Sequence, residues 1–210
     1  MEILIVSDIH GNIDTLKEII LQESGVSAVV MCGDLTNFGP SELVGEIDGI
    51  LENTGIPGLA IPGNCDPYDI LGYLDTSENI VNLHRKCYEF GNITFCGLGG
   101  SNPTPFRTPF ELSEEEISRI IREYSGGKRS VLVSHPPPRG VLDEVRGMNV
   151  GSTAVEDHFR KFPMVFCGHI HECRGIRVIN GTTVVNPGPA MNGYYAVVDC
   201  KKKRVNLFRL

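Results

Sequence analysis

The stretch Glu2-Ile3-Leu4-Ile5-Val6-Ser7-Asp8-Ile9-His10-Gly11-Asn12 decides how the rest of the chain is read. Its unbroken apolar run, Ile3 to Val6, has the pattern of a strand buried on both faces, as inside a parallel sheet. The run stops at Ser7, and a carboxylate and an imidazole follow two residues apart, Asp8 and His10. Open α/β sheets bind ligands at the carboxyl edge of their strands. Alternation along extended backbone predicts that Asp8 and His10 point the same way, so the pair can chelate one cation. Gly11 permits a turn, and Asn12 can cap the helix that follows. A strand-end aspartate is more often a cap or turn residue than a ligand, so this segment alone decides the sheet and not the chemistry.

The same pattern recurs outward from that stretch. Residues 26–32 read as a second buried strand ending in Gly33-Asp34, and residues 58–61 as a third ending in Pro62-Gly63-Asn64-Cys65-Asp66. Helical spacing of Leu16, Ile19 and Ile20, then of Leu43, Ile47, Ile50 and Leu51 behind a Ser41 cap, separates them. Three strand–helix units in succession imply a parallel sheet with right-handed crossovers. Residues 81–90 and 92–98 then read as two strands of a hairpin turning at Gly91-Asn92. Residues 101–110 carry three prolines and read as an ordered loop over one end of the sheet. Helices are predicted behind Ser113 and Ser152, and a loop over 140–151. Residues 130–134 read as a strand ending in His135, and 164–167 as one ending in Gly168-His169-Ile170-His171. The remainder, 174–179, 182–185, 194–199 and 204–210, is strand-rich. With no internal repeat or low-complexity linker, residues 1–210 read as one domain.

Bulk properties exclude several function classes. A net charge of −7 and no basic cluster near the sheet edge argue against nucleic-acid binding. The basic run from Lys201 to Arg204 reads as a solvated hairpin turn. No apolar run reaches the roughly 18 residues of a membrane span. The strand pattern starts at once, leaving no room for a secretory signal, so no membrane contact and a cytoplasmic location are expected. Seven cysteines without a Cys-x-x-Cys fit a reducing compartment without a disulfide framework, with Cys32, Cys96 and Cys167 as inert core residues. Oligomeric state stays open, a homo-oligomer included.

Each strand-end residue has a bland reading when taken singly. Asp34 suits a turn, Asn64 a left-handed turn residue, and His135 a core histidine with its hydrogen bond satisfied. The set is what carries weight. Successive strand ends deliver Asp8, His10, Asp34, Asn64, His135, His169 and His171 to one edge, including four of the six histidines in the chain. His84 and His158 fall elsewhere and read as surface residues. Oxygen and imidazole donors without thiolates suit Mn²⁺, Fe or Zn²⁺. Seven donors are too many for one ion, whereas two ions sharing a carboxylate can clamp a phosphoryl group for in-line attack.

These blocks, Asp8-x-His10, Gly33-Asp34, Gly63-Asn64, His135 and Gly168-His169-x-His171, resemble those of the calcineurin-like metallophosphoesterase superfamily in order and spacing. Asn186-Pro187-Gly188 also resembles a block near the end of small stand-alone members. The resemblance implies a four-layer α/β/β/α sandwich of two mixed sheets flanked by helices. It implies a dinuclear centre in which Asp8, His10 and His171 hold one metal, Asn64, His135 and His169 the other, and Asp34 bridges. Mn is favoured, with Fe, Zn and Ni as alternatives. The implied reaction is in-line attack of a metal-bound hydroxide on the phosphorus of a small-molecule phosphoester, with Asp34, Asn64 and His135 as catalytic residues.

One block departs from the family pattern. Gly-Asn-His is usual where this chain has Gly63-Asn64-Cys65 followed by Asp66. The absent imidazole is the group that would protonate the leaving oxygen or hold the phosphate. A cysteine there resembles a subgroup of small bacterial and archaeal phosphodiesterases, which favours diesters over monoesters with poor leaving groups. Asp66-Pro67 has the form of a helix cap followed by proline at the first helical position. Asn12, Cys65 and Arg107 are candidate substrate contacts; helix capping for Asn12 and solvation for Arg107 are the bland readings. Arg139 has the same two readings as Arg107. The alternatives are a phosphomonoesterase, including a protein phosphatase, and a scaffold like the retromer subunit that this fold resembles. Gly33-Asp34-Leu35-Thr36 lacks the arginine-bearing extension of the protein phosphatases, and a scaffold gains nothing from a full donor set.

Overall fold

The structure, a computed structural model, describes all 210 residues. In chain order the elements are β1 (Glu2–Val6), α1 (Ile13–Gln22), β2 (Ala28–Cys32), α2 (Leu43–Thr54), β3 (Gly58–Ile61), α3 (Ile70–Thr76), β4 (Ile80–Asn82), β5 (Cys87–Phe90), β6 (Ile93–Leu98) and α4 (Glu114–Glu123). Then follow β7 (Ser130–Ser134), β8 (Glu144–Val145), β9 (Met148–Asn149), α5 (Thr153–His158), β10 (Met164–Phe166), β11 (Gly175–Ile179), β12 (Thr182–Asn186), β13 (Tyr194–Asp199) and β14 (Arg204–Arg209).

Two mixed six-stranded sheets result. The first runs β14-β13-β1-β2-β3-β4, parallel from β1 to β4 and antiparallel at β13 and β14. The second runs β11-β12-β10-β7-β6-β5, with a parallel centre and antiparallel edges. Period-two alternation sorts the core. Ile3 and Ile5 of β1 pack between the sheets with Val131, Val133 and Phe166, while Leu4 and Val6 pack outward on Leu16, Ile19 and Ile47 of α1 and α2. Leu132 and Val165 face the other way, onto Ile117 and Ile121 of α4 and Val155 of α5. The outcome is the four-layer α/β/β/α sandwich expected from the sequence. Burying one β-branched or leucine side chain is worth about 1.5–3 kcal/mol, so the doubly buried runs that define the strands also dominate the stability.

Several local expectations change. Residues 81–90 are not one strand. β4 ends at Asn82 in the first sheet, the chain crosses over, and β5 begins at Cys87 in the second. His84 sits at this crossing and is buried, not on the surface: its Nδ1 accepts the Gly99 N–H at 3.0 Å, and its ring packs on Phe110. Cys96 is not an isolated thiol. It faces Cys87 directly across the β5–β6 hairpin, and the two form a disulfide, so the cysteine count no longer argues for a reducing compartment. Ser41 does not cap α2; its hydroxyl donates to Asp69 Oδ1 at 2.7 Å. The 140–151 segment contains the small β8–β9 hairpin.

Candidate metal centre

The carboxyl ends of β1, β2, β3, β7 and β10 converge. Beyond β1 the backbone does not stay extended. Asp8 (φ 56°) and His10 (φ 47°) both adopt left-handed conformation, as do Asp34 (φ 51°) and His169 (φ 67°). The expectation that extended alternation aims Asp8 and His10 is therefore wrong in its cause; two left-handed residues flanking Ile9 do so. Such conformations cost on the order of 1–3 kcal/mol each for a non-glycine residue and persist only where the surroundings hold them. Here Asp8, His10 and Gly11 donate N–H bonds of 3.0, 2.9 and 3.0 Å to the carbonyls of Gly33, Asp34 and Leu35. The β1–β2 pairing thus continues through both donor turns. At Gly33 (φ 97°) a β-carbon would collide with the His135 ring, so only glycine fits.

Six of the seven expected donors have side-chain atoms in direct reach of one another. His171 Nε2 lies 3.1 Å from Asp8 Oδ1 and 3.4 Å from His10 Nε2. Asp34 turns one oxygen to each side: Oδ2 is 3.6 Å from His10 Nε2, and Oδ1 is 3.5 Å from His135 Nε2. His135 Nε2 is also 3.0 Å from Asn64 Oδ1, and its Nδ1 donates to the Cys32 carbonyl at 2.7 Å, which fixes the ring. Three groups of donors lie close enough to share a cation: Asp8, His10 and His171; Asp8, Asp34 and His135; and His10, Asp34 and Cys65. His169 falls outside all three. Its ring packs beside His135 with centroids 5.0 Å apart, while its backbone N–H donates to Asp8.

The electrostatics favour a cation here. Asp8 and Asp34 are 1% and 2% exposed, yet both carboxyls are held below the usual range. Burial opposes ionisation, and the facing histidines overcome it. The same field acts in return on His135. Burial alone would lower its pKa, but Asp34 and Asp8 push it up to about 9. The hydrogen bond to Asp8 raises that of His171. A pocket that draws protons onto His135 and His171 draws divalent cations by the same potential, while burial and the neighbouring His135 push the His169 pKa down to about 4. His10 Nδ1 is buried without a partner, and two imidazole nitrogens with a carboxylate converge at His10, His171 and Asp8. This donor set fits Mn, Fe, Zn or Ni.

The model of the calcineurin-like phosphoesterase superfamily domain matches residues 1–203. The chain belongs to that superfamily. A protein of Methanocaldococcus jannaschii, described as uncharacterized, is 36% identical over 221 residues, covering 99% of this chain and 95% of its own. Among solved structures, one superposes with a TM-score of 0.82 at 19% identity, covering 99% of this chain and 98% of its own. A Thermus thermophilus protein superposes with a TM-score of 0.77 at 17% identity, covering 99% and 98%. Both establish likeness of fold. Membership assigns this phosphoesterase to metal-dependent hydrolysis of phosphoesters. No helix is long and apolar enough to cross a membrane.

Within the phosphoesterase site, Asp66 has a role the sequence reading missed. It does not cap α3, whose N-cap is Asp69. It is fully buried and accepts four hydrogen bonds: Leu35 N at 3.1 Å, Thr36 N at 2.7 Å, Thr36 Oγ1 at 2.9 Å and Gly63 N at 2.7 Å. One carboxylate thus locks the Asp34 turn to the Asn64 turn. The only sequence signal was an aspartate two residues after Asn64, and the Asp-Pro pair disguised it as a cap. Asn186 is a second brace. Its amide donates to the Ile170 carbonyl at 2.9 Å, between the two histidines of the last block, and its Oδ1 accepts from Gly188 N.

The expected substrate contacts are placed unequally. Asn12 caps α1 by accepting the Thr15 N–H, and its amide donates to the Met191 carbonyl at 3.0 Å, so both ends are engaged. Cys65 Sγ joins His10 and Asp34, and burial, then Asp34, pushes its thiol pKa up. Arg107 is exposed on the 101–110 loop, in left-handed backbone and without an ion pair. That loop is ordered, since Glu111 accepts from Thr104 Oγ1, Thr108 N and Thr108 Oγ1, and Phe110 N donates to the Asn64 carbonyl at 3.1 Å.

Proposed function

We propose that the protein is a phosphodiesterase with a dinuclear metal centre, residues 1–210 forming one domain. The observation that carries this reading is the placement of Asp34, whose two oxygens face His10 on one side and His135 on the other. Asp8, His10 and His171 would hold one ion, Asn64, His135 and His169 the other, and Asp34 would bridge. When bound, the ions supply charge stabilisation for the phosphoryl oxygens and activation of water.

The chain's own groups do the rest. Asn64 Oδ1 and His135 Nε2 are held 3.0 Å apart, and the His135 ring is fixed by the Cys32 carbonyl, so these two donors would meet their ion at set positions. Asp66 and Asn186 keep the turns in place, which limits reorganisation during the reaction. Cys65 supports diesters over monoesters. Its thiol stays protonated and is a poor acid near pH 7, so the leaving oxygen receives no ready proton from this position. A small-molecule diester fits this reading. The deciding experiment measures bound metal together with turnover of matched aryl diesters and monoesters after loading with Mn²⁺, Ni²⁺ or Zn²⁺. Two ions per chain with faster diester turnover supports the reading. One ion, or faster monoester turnover, overturns it.

A further inference from the structure

Phe38 combines two uncommon properties. Its side chain is 60% exposed, and its backbone stands at φ 61°. An exposed phenylalanine gains little from burial, and left-handed backbone is disfavoured for a residue with a β-carbon. The fold nevertheless holds it there. The Phe38 N–H donates to the Cys65 carbonyl at 3.1 Å, and the next amide, Gly39 N–H, donates to Thr36 Oγ1 at 3.0 Å. Thr36 Oγ1 in turn donates to Asp66, the carboxylate that aligns the Asp34 and Asn64 turns. Phe38 is therefore fixed by the same bonds that build the metal centre.

A second exposed ring follows the Asn64–Cys65 turn. Tyr68, three residues after Cys65, is 58% exposed, with its ring tilted on Phe110 at 4.7 Å between centroids. Phe110 is itself anchored, its N–H donating to the Asn64 carbonyl. Neither Phe38 nor Tyr68 joins any of the three core clusters. Phe38 is thus tied to Cys65 by its own backbone bond, and Tyr68 to Asn64 through its packing on Phe110.

We propose that Phe38, with Tyr68 as a second exposed ring beside the Asn64–Cys65 turn, is a stacking surface for a planar aromatic group on the substrate. The substrate class is then phosphodiesters that carry a nucleobase or aryl ring, as opposed to alkyl or sugar diesters. This rests on the phosphodiesterase reading above. A ring stacked on an aromatic side chain contributes roughly 5- to 150-fold in affinity. Stacking tolerates differences between rings, because every planar ring presents a π-face.

The test needs binding first and turnover second. Adenosine 5′-monophosphate, phenyl phosphate and ribose 5-phosphate are titrated calorimetrically into the Mn²⁺-loaded protein. The parent is expected to bind the two ring-bearing phosphates more tightly than ribose 5-phosphate, and the better of the two identifies nucleobase or aryl. Phe38→Asn suits the backbone, since asparagine enters left-handed conformation readily, so the melting temperature should not fall. It is expected to cut the ratio of ring-bearing to ring-free affinity by roughly 5- to 150-fold, and Phe38→Tyr to restore it. Equal binding of all three phosphates by the parent, no binding of any, or an unchanged ratio in Phe38→Asn overturns the proposal. Turnover of adenosine 2′,3′-cyclic phosphate and bis(p-nitrophenyl) phosphate then separates the two readings. Ring-dependent binding without diester turnover faults the phosphodiesterase reading alone; turnover with ring-independent binding faults the stacking surface alone.

Discussion

The Cys65 backbone N–H donates to Asp34 Oδ1 at 2.8 Å, so the residue that departs from the family pattern is tied to the carboxylate at the middle of the site. That oxygen also faces His135, and the other oxygen faces His10. Asp34→Asn can keep the Cys65 bond through its own Oδ1 while removing the charge. The variant is expected to fold, to bind metal more weakly by more than the about 10–100-fold typical of an outer-shell partner, and to lose turnover by a comparable factor or more. Metal analysis after gel filtration, with diester kinetics, checks this. Parent-like turnover with two ions retained would remove Asp34 from the bridge.

Cys65 sets the second prediction. A thiol whose pKa is pushed up by burial and by Asp34 does not protonate a leaving alkoxide at neutral pH. Turnover should therefore depend steeply on leaving-group acidity, with aryl esters fast and alkyl esters slow. Cys65→His should speed alkyl esters, because general acid catalysis is typically worth about 10²–10⁴-fold. Cys65→Ser should stay close to the parent. A flat leaving-group dependence, or a large loss in Cys65→Ser, would assign the thiol a direct catalytic part.

Asp66 separates a helix cap from a brace. Losing a cap costs about 0.5–2 kcal/mol. Asp66→Ala would instead leave four donors unpaired in a buried site, at about 1–3 kcal/mol for each group left unsatisfied. The expected loss, read from denaturant unfolding of the metal-free protein, is above about 3 kcal/mol, and metal affinity should fall with it. A loss within the cap range would return Asp66 to a minor role.

His84 gives the pH dependence. Burial, helped by Arg85 and Lys86, pushes its pKa down to about 4, and its Nδ1 lone pair accepts the Gly99 N–H, which needs the neutral ring. The folded value lies below the unfolded one, so the unfolded chain takes the proton first as pH falls. Stability is full above about pH 6.5 and is lost between there and about pH 4, amounting to about 2 kcal/mol at pH 5. Denaturant midpoints of metal-free protein at pH 7 and pH 5 should show this loss in the parent and a smaller one in His84→Asn. Equal losses in both would place the acid sensitivity elsewhere.

The strand ends were readable because an apolar run that stops at a polar residue is a local signal. Five such stops, at Asp8, Asp34, Asn64, His135 and His169, placed the fold and the donor cluster together. What failed depended on partners distant in sequence. Asp66 looks like a cap because Pro67 follows it, while its real partners are up to 31 positions away at Leu35 and Thr36. His84 looks like a surface residue within a strand read over 81–90, and only the crossing between sheets buries it. Cys87 and Cys96 pair because the hairpin register sets them opposite, and that register is not contained in a count of cysteines. The left-handed turns at Asp8 and His10 arise from the pairing of β1 with β2, which no single segment announces.

β13 lies between β1 and β14, so one side of β1 is completed only by residues that come after every candidate donor in sequence. During synthesis from the amino terminus, the ribosome emits Asp8 and His10 long before it emits Ala196 and Val198, which pair with Ile5 and Ile3. Until β13 is made, the nascent sheet therefore carries an open edge at β1. Met191, whose N–H holds the Asp8 carbonyl at 3.2 Å, likewise follows every candidate donor in the sequence. Closure of the candidate centre on that side therefore waits for residues 191–198, which are made after the last of its candidate donors, His171.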